Sequence, residues 1–175
     1  QIAAGRDAIA DDPKTATDLL AAAERMLESS RTELKNCLFD LRNNTVDDPD
    51  FTHALTQTLS IFRDETALAI RFPVDRSLLS DTAAHTVLCI IRELVANAIR
   101  HGKAAHVRVA GSVENGTLLF SVSDDGSGFD PVKRPGPREG HFGLTGIQER
   151  LSTLGGTMNI ESTCGKTRVS ITLPL

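Results

Sequence analysis

Leucines at positions 20, 27, 34 and 41 recur every seventh residue, and no other feature of this 175-residue chain restricts its folding as tightly. Ala23, Ser30 and Cys37 fall three residues further on, and Leu38 adds to the same face. A heptad stripe from about Thr15 to Arg42 predicts one helix of roughly 40 Å at 1.5 Å per residue. Such a stripe must be covered by a preceding helix or by another chain, unless it belongs to an ordinary amphipathic helix packed on its own domain. Residues 1–10 read as the end of a helix, broken at Ala10-Asp11-Asp12-Pro13-Lys14. Residues 1–45 are therefore expected to form a partial helical hairpin that contributes to a homodimeric bundle. The polar, turn-forming Asn43-Asn44-Thr45-Val46-Asp47-Asp48-Pro49 marks the boundary to a second domain at 46–175.

Beyond that linker the periodicity changes. A helix is predicted at about 50–64, a short strand at 68–72, and a helix from about 80 to 101 that Ser80 or Asp81 can cap and Gly102 can end. Strands follow at 106–111 and 117–123, joined by the hairpin signal Asn115-Gly116. A Pro/Gly-rich loop at 131–142, a helix at 143–154 and strands at 157–162 and 167–173 complete the pattern. The elements do not alternate strictly, so a mixed sheet covered on one face by helices is expected.

Composition narrows the function. A net charge of −4 and the lack of Trp and Tyr argue against a nucleic-acid surface. Three cysteines, at 37, 89 and 164, make no Cys-x-x-Cys pair, so no zinc knuckle or redox motif is predicted. Reduced thiols, with Cys37 and Cys89 as small core residues, fit a cytoplasmic setting. No apolar run of spanning length and no signal-peptide pattern occur, so the chain is expected to be soluble. It opens mid-helix without Met, which suggests a piece of a larger protein and leaves upstream membrane segments open.

Three separated motifs carry candidate chemistry. On the predicted helix, Glu93, Asn97, Arg100 and His101 recur at helical spacing on one side, while the apolar Ile90, Ile91, Leu94, Val95 and Ile99 can serve the core. Asn97 is a poor helix former among apolar neighbours. Its amide either coordinates a hard cation such as Mg²⁺ or bonds nearby backbone. The second motif, Asp124-Asp125-Gly126-Ser127-Gly128, follows an apolar strand. Its glycines permit a close backbone approach, and a carboxylate there suits an exocyclic amine such as adenine's; it could also be a plain turn. The third, Gly140–Arg150, opens a helix on glycines whose free N–H groups favour phosphate. The preceding stretch, with Lys133, Arg134 and Arg138, has the composition of a basic lid or of a solvated surface loop. Gly165-Lys166-Thr167 mimics a Walker loop, but Ile160 replaces its first glycine and a strand follows.

The order of these motifs resembles the GHKL ATPase superfamily of gyrase B, heat-shock chaperones, MutL and histidine kinases. Glu93–Gly102 (ELVANAIRHG) is similar to its N box, Asp124–Gly128 (DDGSG) to its first glycine box and Gly143–Gly146 (GLTG) to its second. Gly155-Gly156-Thr157 and Thr167–Leu175 (TRVSITLPL) resemble the end of histidine-kinase catalytic domains. The resemblance covers about residues 50–175 and is nearest to the nitrate-sensor-like branch, where a helical dimerisation hairpin precedes the ATPase domain; Leu34–Arg42 looks like the end of its second helix. It implies a two-layer α/β (α+β) sandwich of the Bergerat or GHKL type, binding ATP with Mg²⁺. Residue by residue, Asn97 would bind Mg²⁺ and Asp124 the adenine amine. Gly126 and Gly128 would shape the pocket, with Thr167 beside it, while Gly143, Leu144 and Gly146 would supply backbone near the phosphates. Arg100 and His101 would lie near the phosphates, and Glu93 would orient a ligand or stay auxiliary.

The implied function is a sensor histidine kinase that passes the phosphoryl group to a LuxR-type response regulator. The alternatives are a nucleotide-binding module without transfer and an anti-sigma-type serine kinase. One departure stands out: none of the five histidines precedes residue 53, so the branch's phospho-accepting histidine has no counterpart here. The tail also departs, since Cys164-Gly165-Lys166-Thr167 stands where a second glycine before Thr is usual.

Overall fold

The computed structural model describes residues 14–23, 27, 50–129 and 142–175. The first hairpin helix, most of the leucine stripe, the linker at 43–49 and the basic stretch up to His141 lie outside the described residues. The chain divides into two compact units, residues 1–43 with 135–142 and residues 44–134 with 143–175. In the first, residues 14–23 (α1) are helical. Ala16 and Ala23, one heptad apart, are buried, whereas Leu20 and Leu27 are 39% and 61% exposed.

In the second unit, α2 (Phe51–Leu59) starts where Asp50 accepts hydrogen bonds from the N–H groups of Thr52 (2.9 Å) and His53 (3.2 Å). It buries Phe51, Ala54, Leu55, Thr58 and Leu59, the spacing of one helical face. A strand β1 (Ala67–Arg71) follows. Helix α3 (Asp81–Arg100) is capped by Ser80, whose hydroxyl accepts from the Ala83 N–H at 3.2 Å. Strands β2 (His106–Glu114) and β3 (Thr117–Asp124) form a hairpin. Its Asn115 and Gly116 both adopt positive φ, 51° and 72°, as a type I′ turn requires. Helix α4 (Phe142–Thr153) and strands β4 (Thr157–Thr163) and β5 (Lys166–Pro174) complete the unit.

The sheet order is β1-β2-β3-β5-β4, parallel between β1 and β2 and antiparallel elsewhere. Alternation puts Val107, Val109, Leu118, Phe120, Val122, Val169, Ile171 and Leu173 on one face, all buried. The helices pack on that face, with Leu88, Ile90 and Ile91 of α3 wholly inaccessible. The expected mixed sheet with helices on one side is the one observed. Strand β2 runs three residues past the predicted end at Gly111. The glycine is a place of close approach: a Cβ there would stand 2.5 Å from the Phe72 ring. That ring lies 5.4 Å from Phe51 and 6.1 Å from Phe120 between centroids.

Candidate functional site

The pairing register sets Val107, Asp124, Thr167 and Ser162 side by side across β2, β3, β5 and β4. One step inward the same face carries Val109, Val122, Val169 and Ile160, so the apolar core ends at this row and oxygen-bearing side chains begin. Asp124 Oδ1 accepts the Gly126 N–H at 2.9 Å, which folds the loop back over the strand end. Ser127 N–H then donates to Gly102 O at 2.8 Å, fastening the loop to the end of α3.

Three glycines make this contact possible. A Cβ on Gly126 would stand 2.6 Å from Gly102 O, one on Gly102 2.7 Å from Ala98 O, and one on Gly128 2.0 Å from Thr163 O. Gly128 also needs its φ of +69°. Gly102 was expected to stand as the glycine at the end of α3, a place where the left-handed conformation is common. That conformation falls instead on Lys103, at φ 53°. Gly102 is small because α3 and the loop meet there.

The adjacent carboxylates have different tasks. Burial raises the Asp124 pKa above the usual aspartate value; the Gly126 N–H opposes this and the Asp125 charge adds to it. Asp125 turns to the start of β2. Its Oδ1 accepts the His106 N–H at 2.8 Å, and its Oδ2 lies 2.7 Å from His106 Nδ1. These bonds, the backbone one first, lower its pKa, so Nδ1 is the ring nitrogen that donates.

On α3, Glu93 and Asn97 lie one turn apart and are half-buried. Neither side chain has a hydrogen bond or ion pair among the described residues, so the backbone-bonded amide considered for Asn97 is not observed. The Asn97 carbonyl accepts from His101 N (2.9 Å) and Gly102 N (3.3 Å), which links its turn to the residue carrying the loop. Arg100 is exposed in the last turn, and His101 caps the helix.

Thr167 is buried, with Oγ1 2.9 Å from Ser162 Oγ. Gly143 and Leu144 fall in the first turn of α4, where N–H groups lack intrahelical partners; Gly146 follows one turn on. Buried Ile147 and Leu151 anchor that helix, and a Schellman end closes it: Gly156 N–H donates to Leu151 O (2.8 Å) and Gly155 N–H to Ser152 O (3.2 Å). The structure thus brings Asp124 and Gly126 to the Gly102 end of α3, the helix that carries Glu93, Asn97 and Arg100 and is capped by His101, with Thr167 beside Asp124 and Gly128 against Thr163 of β4. Ser162 and His106 were missed from sequence. Strand register brings them in, and no local motif signals it.

The site combines an acceptor carboxylate, a buried hydroxyl and a glycine-lined turn beside the half-buried Glu93 and Asn97 of α3. The chain belongs to the histidine kinase-, DNA gyrase B-, and HSP90-like ATPase family, whose sequence model matches residues 84–175. Residues 84–175 are thus an ATP-binding module of the histidine-kinase kind. The signal transduction histidine-protein kinase/phosphatase UhpB of Salmonella typhimurium is 39% identical over 101 residues, 58% of this chain and 19% of that protein. The nitrate/nitrite sensor protein NarQ of Escherichia coli is 30% identical over 167 residues, 93% of this chain and 29% of that protein. The blue-light activated histidine kinase of Erythrobacter litoralis has the same fold. It superposes with a TM-score of 0.61 at 22% identity, over 71% of this chain and 42% of that one. The chain spans less than half the length of the curated relatives it matches.

Proposed function

We propose that this chain is the catalytic part of a cytoplasmic sensor histidine kinase and transfers the ATP γ-phosphoryl to a histidine on a dimerisation helix beyond this sequence. The observation that carries the reading is the row at the sheet end, where Asp124 and Thr167 stand together against the loop anchored on Gly102. A raised pKa there reflects a carboxylate held partly out of water, an environment that strengthens its hydrogen bond to an incoming amine. Asp124 takes the adenine amine, Gly126 and Gly128 shape the pocket, and Thr167 lies beside the base.

Mg²⁺ fits the residues present. The Asn97 amide is half-buried without a partner among the described residues, and Glu93 stands one turn away. No group of three or more His, Cys, Asp or Glu side chains gathers among the described residues. That suits a cation held by one or two protein oxygens and the phosphates themselves. When bound it would neutralise phosphate charge. Arg100 and His101 would face the phosphates from α3, and Gly143, Leu144 and Gly146 would offer backbone from α4. Phosphoryl transfer needs mainly such positioning and charge compensation.

Residues 1–45 would form the dimerising hairpin and 46–175 the ATP-binding domain, with a LuxR-type response regulator as the onward acceptor. The test mixes this chain with a separately supplied acceptor helix and labelled ATP. Label on the helix histidine is expected. ATP binding without transfer would leave a nucleotide-binding module only. Asn97→Ala is expected to abolish binding of Mg·ATP, measured by titration with and without the metal.

A further inference from the structure

We infer that Ser162 is a positioning residue of the nucleotide pocket, fixing where the chain leaves the Asp124–Gly128 loop and which way the Thr167 hydroxyl points. The inference rests on the nucleotide-binding reading above. Phe129 N–H, the first donor after the loop, donates to Ser162 Oγ at 2.9 Å. Ser162 Oγ also lies 2.9 Å from Thr167 Oγ1. Ser162 accepts the Phe129 bond through one lone pair, and its own proton has Thr167 Oγ1 within reach as an acceptor. Either hydroxyl can donate in this pair; in the inferred arrangement Phe129 N–H donates to Ser162 and Ser162 O–H donates to Thr167, leaving the Thr167 proton for a third group.

The strand register puts that hydroxyl beside the carboxylate of the motif. Thr167 is the direct neighbour of Asp124, and both belong to the row where the core ends. An acceptor carboxylate and a donor hydroxyl thus stand on adjacent strands. Adenine carries the complementary pair on one ring carbon, an exocyclic amine that donates and, bonded to the same carbon, a ring nitrogen that accepts. A 6-oxopurine reverses both. By holding Thr167 as a donor toward the pocket, Ser162 contributes to the choice of base without touching it. The loop exit is held by the same hydroxyl, and the contact of Gly128 with Thr163 keeps the loop on this hairpin.

The experiment compares ATP and inosine triphosphate by calorimetric titration of the 175-residue chain carrying Ser162→Ala, Ser162→Thr or Thr167→Val, with thermal melts and hydrogen exchange at the Phe129 amide. Ser162→Ala is expected to raise the Kd for ATP about tenfold, the effect of one hydrogen bond. The Kd for inosine triphosphate should change much less, and Phe129 exchange should quicken. Ser162→Thr, which keeps the hydroxyl, should restore the preference for ATP, and Thr167→Val should lose it. Equal losses for both nucleotides, or no change in binding by Ser162→Ala, would overturn the inference alone. A wild-type chain that binds neither nucleotide would overturn the nucleotide reading and this inference with it.

Discussion

Asp124 and Asp125 are neighbours with opposite electrostatics. The folded chain raises the Asp124 pKa, chiefly by burial, and so holds its proton more tightly than the unfolded chain. Its ionisation therefore opposes folding above that pKa, and the opposition is relieved as pH falls through it. Nucleotide binding has the reverse sign, because the acceptor must be ionised. Affinity for ATP is expected to fall as pH drops through the raised pKa, starting at a higher pH than an ordinary aspartate would give. A titration series downward from neutral pH measures this, and Asp124→Asn should flatten the profile. That substitution should also weaken ATP binding by roughly 1–3 kcal/mol. Asp125 has a lowered pKa through its bonds to His106, so its contribution is present above the unfolded value and lost as pH falls through the folded one. The special standing of Asp124 was legible from the motif it opens. The different task of Asp125 was not, since His106 is nineteen positions away and meets it only through the β2–β3 pairing.

Among elements, the helix starts and the hairpin turn were legible because their signals are local. Asp50 and Ser80 satisfy free N–H groups within their own first turns, and Asn115-Gly116 supplies the two positive φ angles of a tight hairpin. The end of β2 was misjudged because the need for Gly111 arises from Phe72, on a different element. A pair of glycine substitutions separates these kinds of constraint. Gly116→Ala meets open space at φ +72°, so it should cost about 1–2 kcal/mol of stability and leave the Kd for ATP unchanged. Gly128→Ala carries the same conformational cost plus a collision with Thr163 O, so it should lower the melting temperature further and abolish ATP binding. Equal effects of the two on ATP titrations would refute the role given to the loop.

For the whole molecule, the leucine stripe and the sheet belong to different units. Exposed Leu20 and Leu27 leave part of the stripe uncovered in a single chain, the condition under which a second helix pair would gain by packing on it. Substituting both leucines with aspartate in the full chain should give a monomer by sedimentation at all concentrations. The wild type should show a concentration-dependent dimer, and ATP affinity should be the same in both. A wild type that stays monomeric would remove the proposed bundle without touching the nucleotide site.

The row at the sheet end marks what each level decided. Period-two alternation, helix caps and turn residues made the elements readable in the sequence, because each depends on neighbours a few residues away. The motifs containing Asn97, Asp124 and Gly143 were readable for the same reason. Tertiary structure alone decided that Ser162 joins Thr167 and the loop exit, that Gly102 yields to the loop rather than turning the helix, and that Asp125 clamps β2. These pairings join residues far apart in sequence, and strand register and close backbone contact set them only once the sheet has formed.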